Sequence, residues 1–260
     1  MIVHISPFDF TTGLIDEDNH LTNVISASIE RDATDETSLL ESATVALDTS
    51  NFSRGWYAVD AIENSTRHRL GVFYFKLKTL EQGNNGVFTY ELEGVSTLYE
   101  ASTEYVANGY SVRYGNSGAD VIEELLKPCT APLNITAFQV AKSQVFSADT
   151  TRLGACWSIL RNAGMCMQIS DDGTINVMQP PTDITKTITA SNGVLLGTVS
   201  ISDDEVGYEC AVSGRPYDRV TINLPKWGVD STLRIASQSI DLTKTSLTAE
   251  ETLKEQVYDG

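Results

Sequence analysis

The feature that most restricts how this chain can fold is a period-two alternation of side chains, broken at close intervals by turn residues. Val24, Ser26 and Ser28 oppose Ile25, Ala27 and Ile29, and the alternation returns from Ala43 to Leu47. Trp56 to Ile62 reads as a third strand. Val72–Leu80 and Val87–Val95 flank Gln82-Gly83-Asn84-Asn85-Gly86, where glycine and asparagine tolerate the positive φ that a hairpin loop needs. On this hairpin Phe73, Phe75 and Leu77 are expected on one face and Tyr74, Lys76 and Lys78 on the other, giving one dry and one wet side. About five such strands predict a small barrel or sandwich, in which closure protects strand edges.

After residue 100 the period lengthens. Ser117 is placed to cap a helix over Gly118–Lys127, where Val121, Ile122, Leu125 and Leu126 share a side and Pro128 ends the run. Asp120, Glu123 and Glu124 suit its positive end. A second helix is expected over Thr151–Ala163, with Leu153, Cys156, Trp157 and Leu160 at helical spacing and Gly164 as its cap. Met165–Ile169 and Thr174–Met178 then bracket Ser170-Asp171-Asp172-Gly173, an Asp-Gly hairpin.

Strands resume after Pro180-Pro181, at Thr185–Ala190, Gly197–Ile201, Tyr208–Ser213, Arg219–Leu224 and Thr232–Ile240. Thr248 with Glu251 three residues on resembles a capping box, predicting a C-terminal helix over Thr248–Tyr258. The expected fold is therefore mainly β with a small α+β insertion. Its expected divisions are a first β-barrel domain (1–105), a segment of two helices and a hairpin (106–180), and a second β-rich domain (181–260).

A net charge of -17 and a pI near 4.4 argue against specific nucleic-acid binding, which needs clustered lysine and arginine. Residues 1–50 carry ten acids against one base, Arg31, and the acid is concentrated at the two ends of the chain. No run approaches the roughly 20 apolar residues of a membrane span, and MIVHISPFDF has no basic and apolar leader pattern, so cytosolic synthesis is expected. Cys129, Cys156, Cys166 and Cys210 form no Cys-x-x-Cys pair and are expected to be reduced, mostly buried thiols. Without an export signal, the Asn-x-Ser/Thr matches at Asn51, Asn64 and Asn134 carry no expectation of glycosylation.

Chemistry is mostly missing. There is no dinucleotide fingerprint, P-loop, His-Glu-x-x-His or Gly-x-Ser-x-Gly, and His4, His20 and His68 are expected to be surface imidazoles. Asp171 and Asp172 read as turn formers rather than a catalytic pair. Neither Asp16-Glu17-Asp18 nor Asp203 to Glu205 has an EF-hand loop, so no catalytic residue, metal or cofactor is assigned. Two alternatives remain: a carbohydrate or host-receptor binding module using Tyr105, Tyr110 and Tyr114, and a carboxylate-dependent glycosidase or peptidase.

The order of the pieces is more telling than any one motif. An acidic strand pair precedes Gly55-Trp56-Tyr57 to Leu80, whose partner strand ends in Glu93-Gly94-Val95-Ser96-Thr97-Leu98-Tyr99. Ala119 to Leu126 follows, then Thr151-Arg152-Leu153-Gly154-Ala155-Cys156-Trp157 through Gly164 into the Asp-Gly hairpin, and later Tyr217 to Ile222. This series resembles the phage baseplate hub and tail-tip attachment (tail-associated) proteins over most of residues 20–225. The resemblance implies two tube-like β-barrel domains bracketing the helix and hairpin segment, and a homotrimer forming a pseudo-sixfold ring in the virion. It further implies a tail tube or distal tail protein hexamer on one side and a tail spike or fibre on the other. Many relatives continue into a lysis or receptor-binding region; with this sequence stopping at Gly260, such an activity is expected elsewhere. An acidic lumen would repel passing DNA, so Asp16, Glu17, Asp18, Glu30, Asp32, Asp35, Glu36, Glu41 and Asp48 are expected to lie partly toward a channel.

Overall fold

The computed structural model describes all residues except 35–38, 49–51, 83–87, 192–194, 203, 213, 244–245, 256 and 258–260. The chain begins with β1 (Ile2–Asp9), β2 (Leu14–Ile15), β3 (Val24–Asp32), β4 (Glu41–Leu47), β5 (Gly55–Glu63), β6 (Thr66–Gln82) and β7 (Phe88–Val95). Next come α1 (Tyr99–Thr103), β8 (Tyr110–Val112), α2 (Gly118–Leu126), β9 (Leu133–Ile135), β10 (Gln144–Phe146), α3 (Arg152–Asn162), β11 (Cys166–Ile169) and β12 (Ile175–Met178). β13 (Ile184–Thr189), β14 (Leu195–Ile201), β15 (Glu205–Ala211), β16 (Arg219–Leu224), β17 (Val229–Asp241) and β18 (Thr248–Lys254) complete it.

The helical segment follows its local signals. Ser117 Oγ accepts the Asp120 N–H at 3.3 Å, the cap the sequence predicts, and Thr151 Oγ1, at the expected start of the second helix, caps it by accepting the Gly154 N–H at 3.0 Å. Asp172 Oδ1 accepts the Thr174 N–H at 3.0 Å and Gly173 takes φ +84°, which makes Asp172 a turn former. Tryptophan 157 is buried with Leu153, Leu160, Ile122 and Leu125 in one hydrophobic cluster. Parallel pairing of β9 with β12 adds a third strand to the hairpin.

The remaining strands do not close into barrels. Thirteen join in one sheet of order β14-β15-β18-β17-β3-β4-β7-β6-β5-β1-β2, with β16 attached to β17 and β13 to β16. The cause is β17, whose first half pairs with β16 and whose second half pairs with β3, from Ser237 opposite Asp32 to Asp241 opposite Ser28. β3 therefore spends one edge on the C-terminal strands instead of returning to β1. A groove of about 540 Å³, lined by His4, His20, Ile25 and Leu242, lies between β1 and β3.

The C-terminal helix expected over Thr248–Tyr258 is a strand as far as Lys254, paired on both sides with β15 and β17. Ala249, Glu251 and Leu253 are buried at alternate positions, a period of two. The capping-box pattern is overridden because Glu251 finds its partners across the sheet rather than on its own backbone.

On β7, Gly94 sits flat under an aromatic ring. A Cβ there would come within 2.6 Å of Phe75 Cε1 and 3.1 Å of the Ala43 side chain. Gly94→Ala is expected to cost about 1–3 kcal/mol through overpacking, read as a lower urea midpoint. An unchanged midpoint would show that Phe75 can move aside freely.

Candidate assembly surfaces

Charged side chains first organise the inside of the subunit. Arg31 on β3 is buried, with Nε 3.1 Å from Glu41 Oε1 of β4, and its terminal nitrogens donate to Gln238 Oε1 and to the Leu70 carbonyl. Arg215 bonds the same Glu41 carboxylate and also Asp171 in the Asp-Gly turn. Gln238 passes the chain on, donating to Glu251 at 2.9 Å, and Lys186 bonds both Glu251 oxygens at 2.9 and 2.8 Å while Tyr208 donates its hydroxyl to Oε2.

One polar network thus ties β3, β4, the hairpin and the C-terminal strands together. Burial and the neighbouring Arg215 lower the Arg31 pKa to about 10, which leaves it charged at neutral pH. Burial would also lower Arg215, but Glu41 and Asp171 outweigh it and the pKa rises. Sequence reasoning missed this junction, whose one local signal was a glutamate at an inward position of a period-two strand.

Outside, the β6–β7 pair outruns its neighbours. β5 pairs with β6 only as far as Phe75, so residues 76–82 continue against β7 as a ribbon whose β6 edge is uncovered, while β4 stays paired to β7 as far as Tyr90. Phe73 and Phe75 are buried, and Leu77 shares their face opposite Leu92, but no strand covers it and it is 48% exposed. At Lys78 the register shifts by one residue, a bulge. It carries Leu80 onto the face of Leu77, opposite Tyr90, with Phe88 beside it; Leu80 is 50% and Phe88 44% exposed. The other face is charged and internally paired, Lys78 to Glu91 at 2.7 Å and Lys76 to Glu93 at 3.2 Å. The hairpin loop at 83–87 lies outside the described residues.

Of the acids singled out by sequence, Asp16, Glu17, Asp18, Glu30, Asp32 and Asp48 are exposed. Several make local bonds: Asp16 accepts from Asn19 at 2.7 Å, Glu17 pairs with Arg67, Glu30 accepts from Ser239 at 2.6 Å and Asp32 caps the Thr34 N–H at 2.7 Å. Glu41 departs from that list, being enclosed between Arg31 and Arg215 within the subunit. Asp35 and Glu36 lie outside the described residues, as does Asp203.

Among the described residues no group of three or more metal-ligating side chains gathers. Tyr110 packs on Phe146 with its hydroxyl toward Glu124, whereas Tyr105 and Tyr114 stand in solvent, so the three rings do not form one platform. All four thiols are free, and burial pushes those of Cys129, Cys166 and Cys210 up to about 12, away from nucleophilic character. The His4 and His20 rings stack at 4.5 Å. Burial, His20 and Arg67 lower the His4 pKa below 6.5. A lowered histidine pKa favours the folded state above pH 6.5, a contribution lost as pH falls below 6.5 and through the lower folded-state value. His20→Ala is expected to raise the NMR titration midpoint of His4, and an unmoved midpoint would contradict the coupling.

No protein-family model matches the sequence, and no curated protein is similar enough to count as a relative. Solved structures do match, over nearly the whole chain. The 43 kDa tail protein of prophage MuSo2 from Shewanella oneidensis superposes with a TM-score of 0.70 at 8% identity, over 96% of this chain and 95% of that one. A tail protein from Neisseria meningitidis MC58 gives 0.68 at 10% identity, over 98% of both chains. The fold is that of phage tail proteins. A prophage tail protein of Listeria monocytogenes EGD-e shares this tail-protein fold with a TM-score of 0.61 and 10% identity, over 98% of this chain and 95% of its own. At such low identity the likeness is one of fold and carries no set of site residues.

Proposed function

We propose that this chain is a structural subunit of a phage tail, a hub without catalytic activity. Three copies form a pseudo-sixfold ring that joins a hexameric tail tube or distal tail protein to a threefold spike or fibre and lets DNA through. The observation that carries this reading is the match of 96–98% of the chain to three tail proteins, with both β regions and the insertion included. The divisions 1–105, 106–180 and 181–260 serve here as the two ring-forming parts and the segment between them. The exposed acids Asp16, Glu17, Asp18, Glu30, Asp32 and Asp48 supply a lumen that repels phosphate, and no membrane or specific nucleic-acid contact is required.

Light scattering at several concentrations, with negative-stain micrographs, tests the reading. A species of three times 28.3 kDa with ring-shaped particles is expected. A chain that stays monomeric at every concentration, or forms closed dimers, overturns the ring.

A further inference from the structure

We infer that the apolar face of the β6–β7 ribbon docks on the β14 edge of a second copy of this chain, head to tail. The inference rests on the ring reading and names the surfaces that build the ring.

On its β6 side the ribbon runs past the support of β5, and beyond Tyr90 it loses β4 as well, leaving two strands that alone are marginally stable in water. Its bulge at Lys78 works against solubility: without it Leu80 would alternate onto the charged face, and with it Leu77, Leu80, Phe88 and Tyr90 share one apolar face. That face continues the interior side of the sheet, since Leu92 and Tyr90 pack into the hydrophobic cluster of the first strands. An interior-type face carried past the edge of its own core calls for a cover.

Charge selects the cover. Copies of a chain with net charge -17 repel, which favours contact where each surface is locally uncharged. The apolar face of the ribbon meets that condition, because Lys76, Lys78, Glu81, Glu91 and Glu93 all lie on its far face, where Lys76 pairs with Glu93 and Lys78 with Glu91. β14 meets it too: Leu195-Leu196-Gly197-Thr198-Val199-Ser200-Ile201 holds no charge, pairs with β15 alone, and leaves Leu196 53% and Ile201 41% exposed. Edge strands are usually guarded by a lysine or proline, and β14 has neither.

One contact between the two covers both. Because the surfaces differ, the contact is heterologous, and such contacts close into rings when the rotation allows.

Cross-linking tests it in the full chain. Chains carrying Leu80→Cys and chains carrying Ile201→Cys are mixed and oxidised mildly; the native thiols are largely buried and give little background. Mixed disulfide dimers are expected to dominate. Disulfides joining two Leu80→Cys chains would overturn the proposal in favour of a twofold contact, and the absence of any disulfide would overturn it outright. Phe88→Glu, an exposed change that leaves the thermal melt in place, is expected to weaken association about 30-fold or more.

The two readings separate cleanly. Ring particles that survive Phe88→Glu and give no mixed disulfide remove this contact but leave the ring. Mixed disulfides in open chains of subunits keep the contact and remove the ring.

Discussion

Glu251→Ala is expected to destabilise the chain by about 3–5 kcal/mol, seen as a lower urea midpoint in equilibrium unfolding. The carboxylate is buried and receives both Lys186 contacts, the Tyr208 hydroxyl and the Gln238 amide. Removing it leaves a lysine with an 8% exposed side chain without a counter-charge among the C-terminal strands. Desolvating that charge is the main cost, rather than the loss of the attraction itself. The double change Lys186→Met with Glu251→Leu is therefore expected to recover part of the loss, since it removes both charges and keeps volume but leaves the Tyr208 hydroxyl and Gln238 amide without their acceptor. A double variant as unstable as the single one would show that these hydrogen bonds or packing, not the lysine charge, set the effect.

Trp157→Ala is expected to cost about 3–5 kcal/mol as well, by opening a cavity in the cluster beneath α2 and α3. This cluster is distinct from the one inside the first strands, where Phe73, Phe75 and Val45 meet. Hydrogen exchange in the variant is expected to show lost protection in α2, α3, β11 and β12 first, with β5 and β6 still protected. Uniform loss across the chain would show that the helical segment and the sheet unfold as one unit.

These predictions fall on features that differ in how openly the sequence displays them. The cap at Ser117, the span of the second helix and the turn at Asp172-Gly173 are local, each set by residues within a few positions, and they were legible. Most strands after residue 180 were legible for the same reason. β1 was not, because Pro7 argues against a strand; its register opposite Tyr57 places it near the margin of the sheet, where a missing N–H is tolerated. β18 was misread because an inward glutamate breaks the apolar alternation, and its partners Lys186, Tyr208 and Gln238 are 65, 43 and 13 residues away.

Closure was misjudged for a related reason. Whether a strand set closes depends on which edge wins β3, and that contest is decided by β17, some two hundred residues along. The ribbon shows the same limit on a smaller scale: its faces up to Leu77 followed from alternation, but a single extra residue at Lys78 reassigns Leu80. An exposed apolar face is then invisible to any reading that assumes strict alternation.

The shared strand β17 also has a mechanical side. Its backbone is bonded to β16 over one half, to β3 over the other, and to β18 through much of its length. A pull that separates the N-terminal from the C-terminal strands along β17 would load the five β3 pairs together in shear instead of opening them one after another. Such a splice resists sudden force far better than a flexible linker does, so tension entering one half of the sheet is handed to the other with little give.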